Sequence, residues 1–242
     1  MSQTNPLIIA LDVESADEAR RIVSAIGNGA DFYKVGMELY AVAGMSFVHE
    51  LIESGKRVFL DLKLYDISET VKRATRHIAQ SGVSFLTVHG SRGVMEAAVE
   101  GRGDSLTKLL AVTVLTSFDQ NDLADLGYQT PVADLVALRV RKAVESGMDG
   151  IVCSPLEVAS VRQIGGAGLT LVTPGVRSAG AASGDQKRVA TPAEAIANGA
   201  DYLVIGRQVT RASDPRLACQ QILGEIEADR IATSRLRTAA AS

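Results

Sequence analysis

The stretch Leu60-Asp61-Leu62-Lys63-Leu64-Tyr65-Asp66, followed by Thr70, carries the residue types best suited to chemistry. On a strand, side chains alternate between faces. Asp61 and Lys63 therefore share one face, and Leu60, Leu62 and Leu64 share the other. An enclosed carboxylate and ammonium must compensate each other, because unpaired ions are costly to bury. Such a pair has two uses. It can fix strand register as a structural ion pair, or it can hold a lysine that stabilises developing negative charge and delivers a proton. Asp66 lies just past the strand and adds like-charge repulsion that a purely structural pair would avoid. Lys34, inside Phe32-Tyr33-Lys34-Val35-Gly36, can bring a second ammonium to the same space from a neighbouring strand.

A second candidate is Val204-Ile205-Gly206-Arg207, a strand entering a helix through glycine. Backbone N–H groups at such a junction bind phosphate, and a guanidinium suits phosphate oxygens. A surface arginine after a strand is the plainer use of Arg207. The segment Thr173–Ala190, with Arg177, Gln186, Lys187 and Arg188, favours the anion site. Among the histidines, His49 and His77 fall in helical stretches as surface residues, while His89 ends a strand and could line a site. Cys153 reads as a small core residue. No HExxH, GxSxG or metal-spaced cluster occurs, so neither a metal nor an organic cofactor is expected.

These residues need a frame to hold them. The 242-residue chain is 46% hydrophobic and 22% charged, with net charge −3. That composition suits a folded domain and excludes disordered, collagen-like and disulfide-dense chains. The acidic balance argues against nucleic-acid coating, and no apolar run approaches the ~20 residues of a membrane span. The opening run ends at Asp12 and reads as a strand, not a signal peptide. With two cysteines in unrelated contexts, a reducing, cytoplasmic setting is expected. Short apolar runs at Leu7–Leu11, Phe32–Gly36, Val58–Leu62, Phe85–Val88, Leu109–Val114, Gly150–Cys153, Thr170–Val172 and Tyr202–Ile205 read as buried parallel strands. Helical stretches separate them. The phrase Asn28-Gly29-Ala30-Asp31 returns as Asn198-Gly199-Ala200-Asp201, with Ser81-Gly82 and Ser146-Gly147 in equivalent places, each glycine read as a helix C-terminal residue. Eight repeated βα units predict a (β/α)8 TIM barrel of α/β class over residues 1–230, with a frayed tail at 231–242. An open doubly wound sheet is the alternative, disfavoured by the missing GxGxxG. Thr116–Gln129 is expected to be a loop with a short helix. The long Thr173–Ala190 connection would lie on the catalytic face.

Asp61-Leu62-Lys63-Leu64-Tyr65-Asp66-Ile67 with Thr70 resembles the DxKxxDIxxT motif of the orotidine 5′-phosphate decarboxylase family. The likeness extends along nearly the whole chain. Ile9–Asp12 and Tyr33–Gly36 resemble the first two strands and Ala111–Ser117 the fifth. Val172–Arg177 with Gly184–Arg188 resembles the phosphate loop, and Val204–Arg207 the last phosphate-binding strand. The family's commonest pattern reads HDIPNT where this chain has Tyr65-Asp66-Ile67-Ser68-Glu69-Thr70. The departures at Tyr65, Ser68 and Glu69 bear on the local backbone path and subunit contacts.

The resemblance implies conversion of orotidine 5′-phosphate to uridine 5′-phosphate and carbon dioxide without metal or cofactor. Lys63, Asp61, Asp66 and Lys34 would form the catalytic charge array. Asp12 and Lys34 would contact the ribose hydroxyls, Ser154 the pyrimidine, and Gly206, Arg207 and Gln186 the phosphate. Thr116, Pro174 and Arg177, within the matched motifs, join the substrate-binding set. Asp66 and Thr70 would reach a partner subunit's site, implying a homodimer. Two rivals remain. One is a metal-dependent sugar-phosphate decarboxylase or hexulose-phosphate synthase on the same barrel. The other is a catalytically silent nucleotide-binding barrel.

Overall fold

The computed structural model describes residues 5–178 and 190–240, the last six of these for their backbone only. Eight parallel strands close into a barrel in chain order. They are β1 (Leu7–Ala10), β2 (Phe32–Gly36), β3 (Arg57–Leu64), β4 (Phe85–His89), β5 (Lys108–Val112), β6 (Gly150–Val152), β7 (Thr170–Thr173) and β8 (Tyr202–Ile205). The outer layer is α1 (Ala16–Ile26), α2 (Met37–Glu53), α3 (Ser68–Gln80), α4 (Arg92–Arg102), α6 (Val132–Glu145), α7 (Val158–Gly165), α8 (Pro192–Ala197) and α10 (Pro215–Ala240). Two short helices, α5 (Gln120–Asp125) and α9 (Arg207–Thr210), lie in the β5–α6 and β8–α10 connections. The predicted (β/α)8 barrel is thus the observed one, and none of its described helices is long and apolar enough to cross a membrane.

Strand alternation divides the core in two. One cluster packs between strands and helices and includes Ile9, Tyr33, Leu60, Leu86 and Ile151. The other fills the barrel interior and includes Ile8, Phe32, Phe59, Phe85, Leu110 and Val172. Phe32, Phe85 and Tyr202 meet edge to face, with centroids 4.9 Å apart for Phe32–Phe85 and 5.3 Å for Phe85–Tyr202. Arg57 closes this floor, its guanidinium 4.4 Å from the Phe32 ring centre and 3.1 Å from Asp31. Two residues further along each of β2, β3 and β4, the same inward face carries Lys34, Asp61 and Thr87. The period of two that buries the aromatic floor therefore points the polar set into the barrel just above it.

Three boundaries differ from the sequence expectation. Helix α1 ends on Gly27, whose φ of 57° takes the left-handed conformation, so the capping glycine comes before the repeated Asn28-Gly29 phrase. At the other three junctions Gly82, Gly147 and Gly199 do adopt positive φ. Strand β5 stops at Val112, which leaves Val114 and Leu115 in the loop across the barrel mouth. The expected tail from 231 continues α10 to Ala240, with residues 228–234 exposed to solvent. The predicted short helix within Thr116–Gln129 is α5, started by a capping box between Asp119 and Asp122.

Candidate active site

A cavity of about 450 Å³ opens at the C-terminal ends of the strands. This is the face on which barrel enzymes carry their sites. One side is lined by a chain of alternating charges. The Lys34 ammonium lies 2.7 Å from Asp12 Oδ1 and 3.7 Å from Asp61 Oδ2. Lys63 Nζ donates to both oxygens of Asp61, at 2.9 and 2.8 Å. Lys34 and Asp61 are nearly buried, whereas Lys63 and Asp12 are more open. Two carboxylates and two ammonium groups cancel, which lets four ions share so enclosed a space. Lys63 has a third N–H for a ligand.

Burial alone would push the Asp61 carboxyl up. Lys34 and Lys63, with hydrogen bonds from Lys63 and Thr87, outweigh it and hold the group below the ordinary carboxylate range. Asp61 is therefore ionised at neutral pH.

The local backbone that presents Lys63 is irregular. Leu60 pairs with Leu86, but Leu64 pairs with Val88, so four residues of β3 advance against two of β4. Within this bulge Lys63 adopts φ 50°, the one positive φ at a non-glycine among the described residues. Leu62 and Leu64 still pack outward against the helices, as alternation predicts. Gly36 is also needed. A Cβ there would lie 2.9 Å from Lys34 Nζ and 3.1 Å from Asp12 Oδ1, so a side chain would crowd the charge pair.

The segments after β7 and β8 bring Arg177, Arg207 and Arg211 to the same cavity, with Pro174, Gly175 and Gly206. Val112, Val114, Leu115, Val152 and Val204 line it as well, with Thr116. The lining therefore combines a charged array, apolar side chains and a set of arginines.

The expected residues fall into three groups. Asp12, Lys34, Asp61, Lys63, Thr116, Pro174, Arg177, Gly206 and Arg207 all line the cavity. Gln186 lies outside the described residues. Asp66, Thr70 and Ser154 do not line it. Ser154 is fully enclosed, its N–H donating to Glu157 Oε2 at 3.1 Å. Asp66 and Thr70 are exposed beyond β3, and Asp66 Oδ1 accepts from the Ile67 N–H at 2.7 Å. Asp66 follows the bulge, so strand alternation no longer governs where it points.

His89 lines an adjoining cavity of about 370 Å³ with Tyr65, Phe118 and Tyr128, not the main one. Its ring stacks on Tyr65 at 4.2 Å, and burial with nearby Arg139 pushes its pKa down, so it is neutral near pH 7. His49 and His77 are exposed, and Cys153 is buried, as expected.

Sequence reasoning missed Gly36, Glu38, Thr87, Thr210 and Arg211. Arg211 was discoverable, since it follows Arg207 at helical spacing. Among the described residues no cluster of three or more His, Cys, Asp or Glu could hold a metal ion.

Barrel and cavity together define a class: a (β/α)8 enzyme with a lysine–carboxylate array and three arginines lining one cavity. Residues 5–222 match the Orotidine 5'-phosphate decarboxylase / HUMPS family, and the chain belongs to it. It is 51% identical over 231 residues to an orotidine 5'-phosphate decarboxylase of Rhodopseudomonas palustris strain BisB5, covering 93% of this chain and 98% of that protein. It is 51% identical over 220 residues to the Nitrobacter winogradskyi enzyme of the same name, covering 91% and 92%. The crystal structure of orotidine 5'-phosphate decarboxylase from Lactobacillus acidophilus superposes with TM-score 0.82 at 36% identity, covering 92% of this chain and 99% of that one.

Proposed function

We propose that this chain decarboxylates orotidine 5′-phosphate to uridine 5′-phosphate and carbon dioxide, within pyrimidine biosynthesis. The observation that carries this reading is Lys63, held by both oxygens of Asp61, in a cavity that Arg177, Arg207 and Arg211 also line. A substrate that bears both a ring carboxylate and a phosphate fits that lining. The relatives' name supplies the reaction.

In the proposed step the bond from C6 of the pyrimidine to its carboxylate breaks. The electron pair stays on C6 and carbon dioxide leaves. The Lys63 ammonium stabilises the developing carbanion and then gives C6 a proton. Asp61, beside the substrate carboxylate, repels it, and that repulsion ends when carbon dioxide departs. Lys34, between Asp12 and Asp61, keeps the array neutral. Asp12 and Lys34 reach the ribose hydroxyls. Arg207, Gly206, Arg177 and Gln186 take the phosphate, whose remote binding energy is expressed in the transition state. Thr116 and Pro174 border the substrate. Ser154 reaches the pyrimidine only if the end of β6 opens. No metal or organic cofactor enters the step.

The active unit in this reading is a homodimer. Asp66 and Thr70 are exposed outside their own cavity, and the flanking Tyr65 and Ile67 are 68% and 72% exposed. That arrangement supports Asp66 and Thr70 completing the site of a second copy. A cytoplasmic setting accords with Cys153 and Cys219, both buried and neither in a disulfide.

The test is a spectrophotometric assay of orotidine 5′-phosphate with excess EDTA present. Rapid loss of the substrate signal is expected. No loss, while uridine 5′-phosphate still binds, would contradict the reading. Loss abolished by EDTA and restored by magnesium would point to the metal-dependent relatives.

A further inference from the structure

The Thr87 side chain, on β4, is fully buried and does not line the cavity. Its hydroxyl nevertheless makes two bonds to the charge array. It donates to Asp61 Oδ1 at 2.8 Å and accepts from the Lys63 backbone N–H at 2.9 Å. Both bonds arise at the bulge, where β3 and β4 lose register between Leu60 and Leu64. There the Lys63 N–H has no strand carbonyl opposite it. An unpaired backbone N–H in this setting would cost as much as a lost hydrogen bond. Thr87 takes the role of that missing carbonyl.

The polarity of the bridge is set by its partners. A hydroxyl has one proton and two lone pairs. The ionised Asp61 can only accept, so the Thr87 proton is committed to it. The Lys63 N–H can only donate, so it takes a lone pair. One atom thereby ties the backbone that aims Lys63 to the carboxylate that grips its ammonium. The positive φ of 50° at Lys63 is a conformation that a side-chain-bearing residue adopts only when its surroundings impose it.

We infer that Thr87 is a positioning residue for the proposed decarboxylation: its hydroxyl holds the left-handed turn at Lys63 and the Asp61 carboxylate in the one arrangement that directs the Lys63 ammonium at the reacting carbon. This rests on the activity proposed above. It predicts that losing the hydroxyl affects the chemical step and spares substrate binding, since Thr87 does not line the cavity and the arginines that do follow β7 and β8.

The experiment compares Thr87→Val, which keeps shape and loses the hydroxyl, with Thr87→Ser, which keeps the hydroxyl. Removing a hydrogen bond to a charged group corresponds to about a 10- to 100-fold effect. Thr87→Val should lower kcat by about that factor, with KM and uridine 5′-phosphate affinity within about twofold of the parent. Thr87→Ser should restore kcat to within about threefold. If Thr87→Val retains kcat within twofold, or if KM and kcat worsen together in Val and Ser alike, the inference is wrong. Should Thr87→Val not fold, Thr87→Cys against Thr87→Ser carries the test: a lower kcat for Cys supports the inference, and equal values overturn it. The parent chain reports separately on the activity itself. If it fails to consume orotidine 5′-phosphate, the proposed function falls. If it succeeds and the hydroxyl proves irrelevant, only the role of Thr87 falls.

Discussion

The two halves of the barrel interior follow opposite rules. The lower half is apolar and regular: Phe32, Phe59 and Phe85 are almost completely buried, and β3 pairs with β4 in step at Phe59↔Phe85 and Leu60↔Leu86. The upper half of the same strands carries Lys34, Asp61 and Lys63, a slipped register and a left-handed residue. The lower half stabilises by burial, which is tolerant of direction and demands volume. The upper half gathers four charges that fold only because they neutralise one another. The packed floor and the charged array thus occupy successive inward positions two residues apart. Strain sits next to the array and is held by a well-packed floor.

This contrast can be broken from either side. The largest effect on the lower half should come from Phe85→Ala, which removes a ring touching Phe32, Phe59 and Tyr202. It should cost about 3–5 kcal/mol of stability, seen in denaturant unfolding, while folded enzyme at low temperature keeps most of its turnover. On the upper half, Arg207→Ala should leave the unfolding midpoint nearly unchanged. It should lower kcat/KM for orotidine 5′-phosphate by about 10- to 100-fold, the scale of a lost charged hydrogen bond. The same variant should matter little for unphosphorylated orotidine. Equal losses with both substrates would contradict the anion-binding role. Gly36→Ala is the smallest and sharpest probe. Its Cβ meets the side-chain ends of Lys34 and Asp12 and no backbone. Stability should therefore change by less than about 1 kcal/mol, while kcat/KM falls by roughly tenfold as the ammonium shifts. A variant that loses stability and keeps its rate would show that the crowding acts on the fold instead.

Much of this was legible in the sequence for physical reasons. Buried parallel strands read as apolar runs, so β2 and β8 were found to the residue. The faces of Asp61 and Lys34 followed from alternation alone. The bulge did not, because nothing in Leu62-Lys63-Leu64 departs from a regular strand pattern. Its marker is the conformation of Lys63, which only tertiary structure reveals. Thr87 was hidden for a related reason: a threonine inside Phe85-Leu86-Thr87-Val88-His89 looks like ordinary strand composition, and its bonds reach residues 24 and 26 positions away. Asp66, expected to complete a partner subunit's array, lies outside its own cavity, past the end of β3. Ser154 was expected at the pyrimidine and is enclosed, since β6 stops at Val152 and the chain turns into the bond with Glu157. The motif that resembles a phosphate loop was readable as a motif, and its Gln186 lies outside the described residues.

The most direct measurement is turnover of orotidine 5′-phosphate by Lys63→Ala beside its affinity for uridine 5′-phosphate. The account predicts a loss of turnover exceeding about 1,000-fold, with an intact fold and nucleotide binding largely retained, because Arg177, Arg207 and Arg211 are untouched. Near-normal turnover in that variant would contradict the claim that Lys63 stabilises and protonates the carbanion.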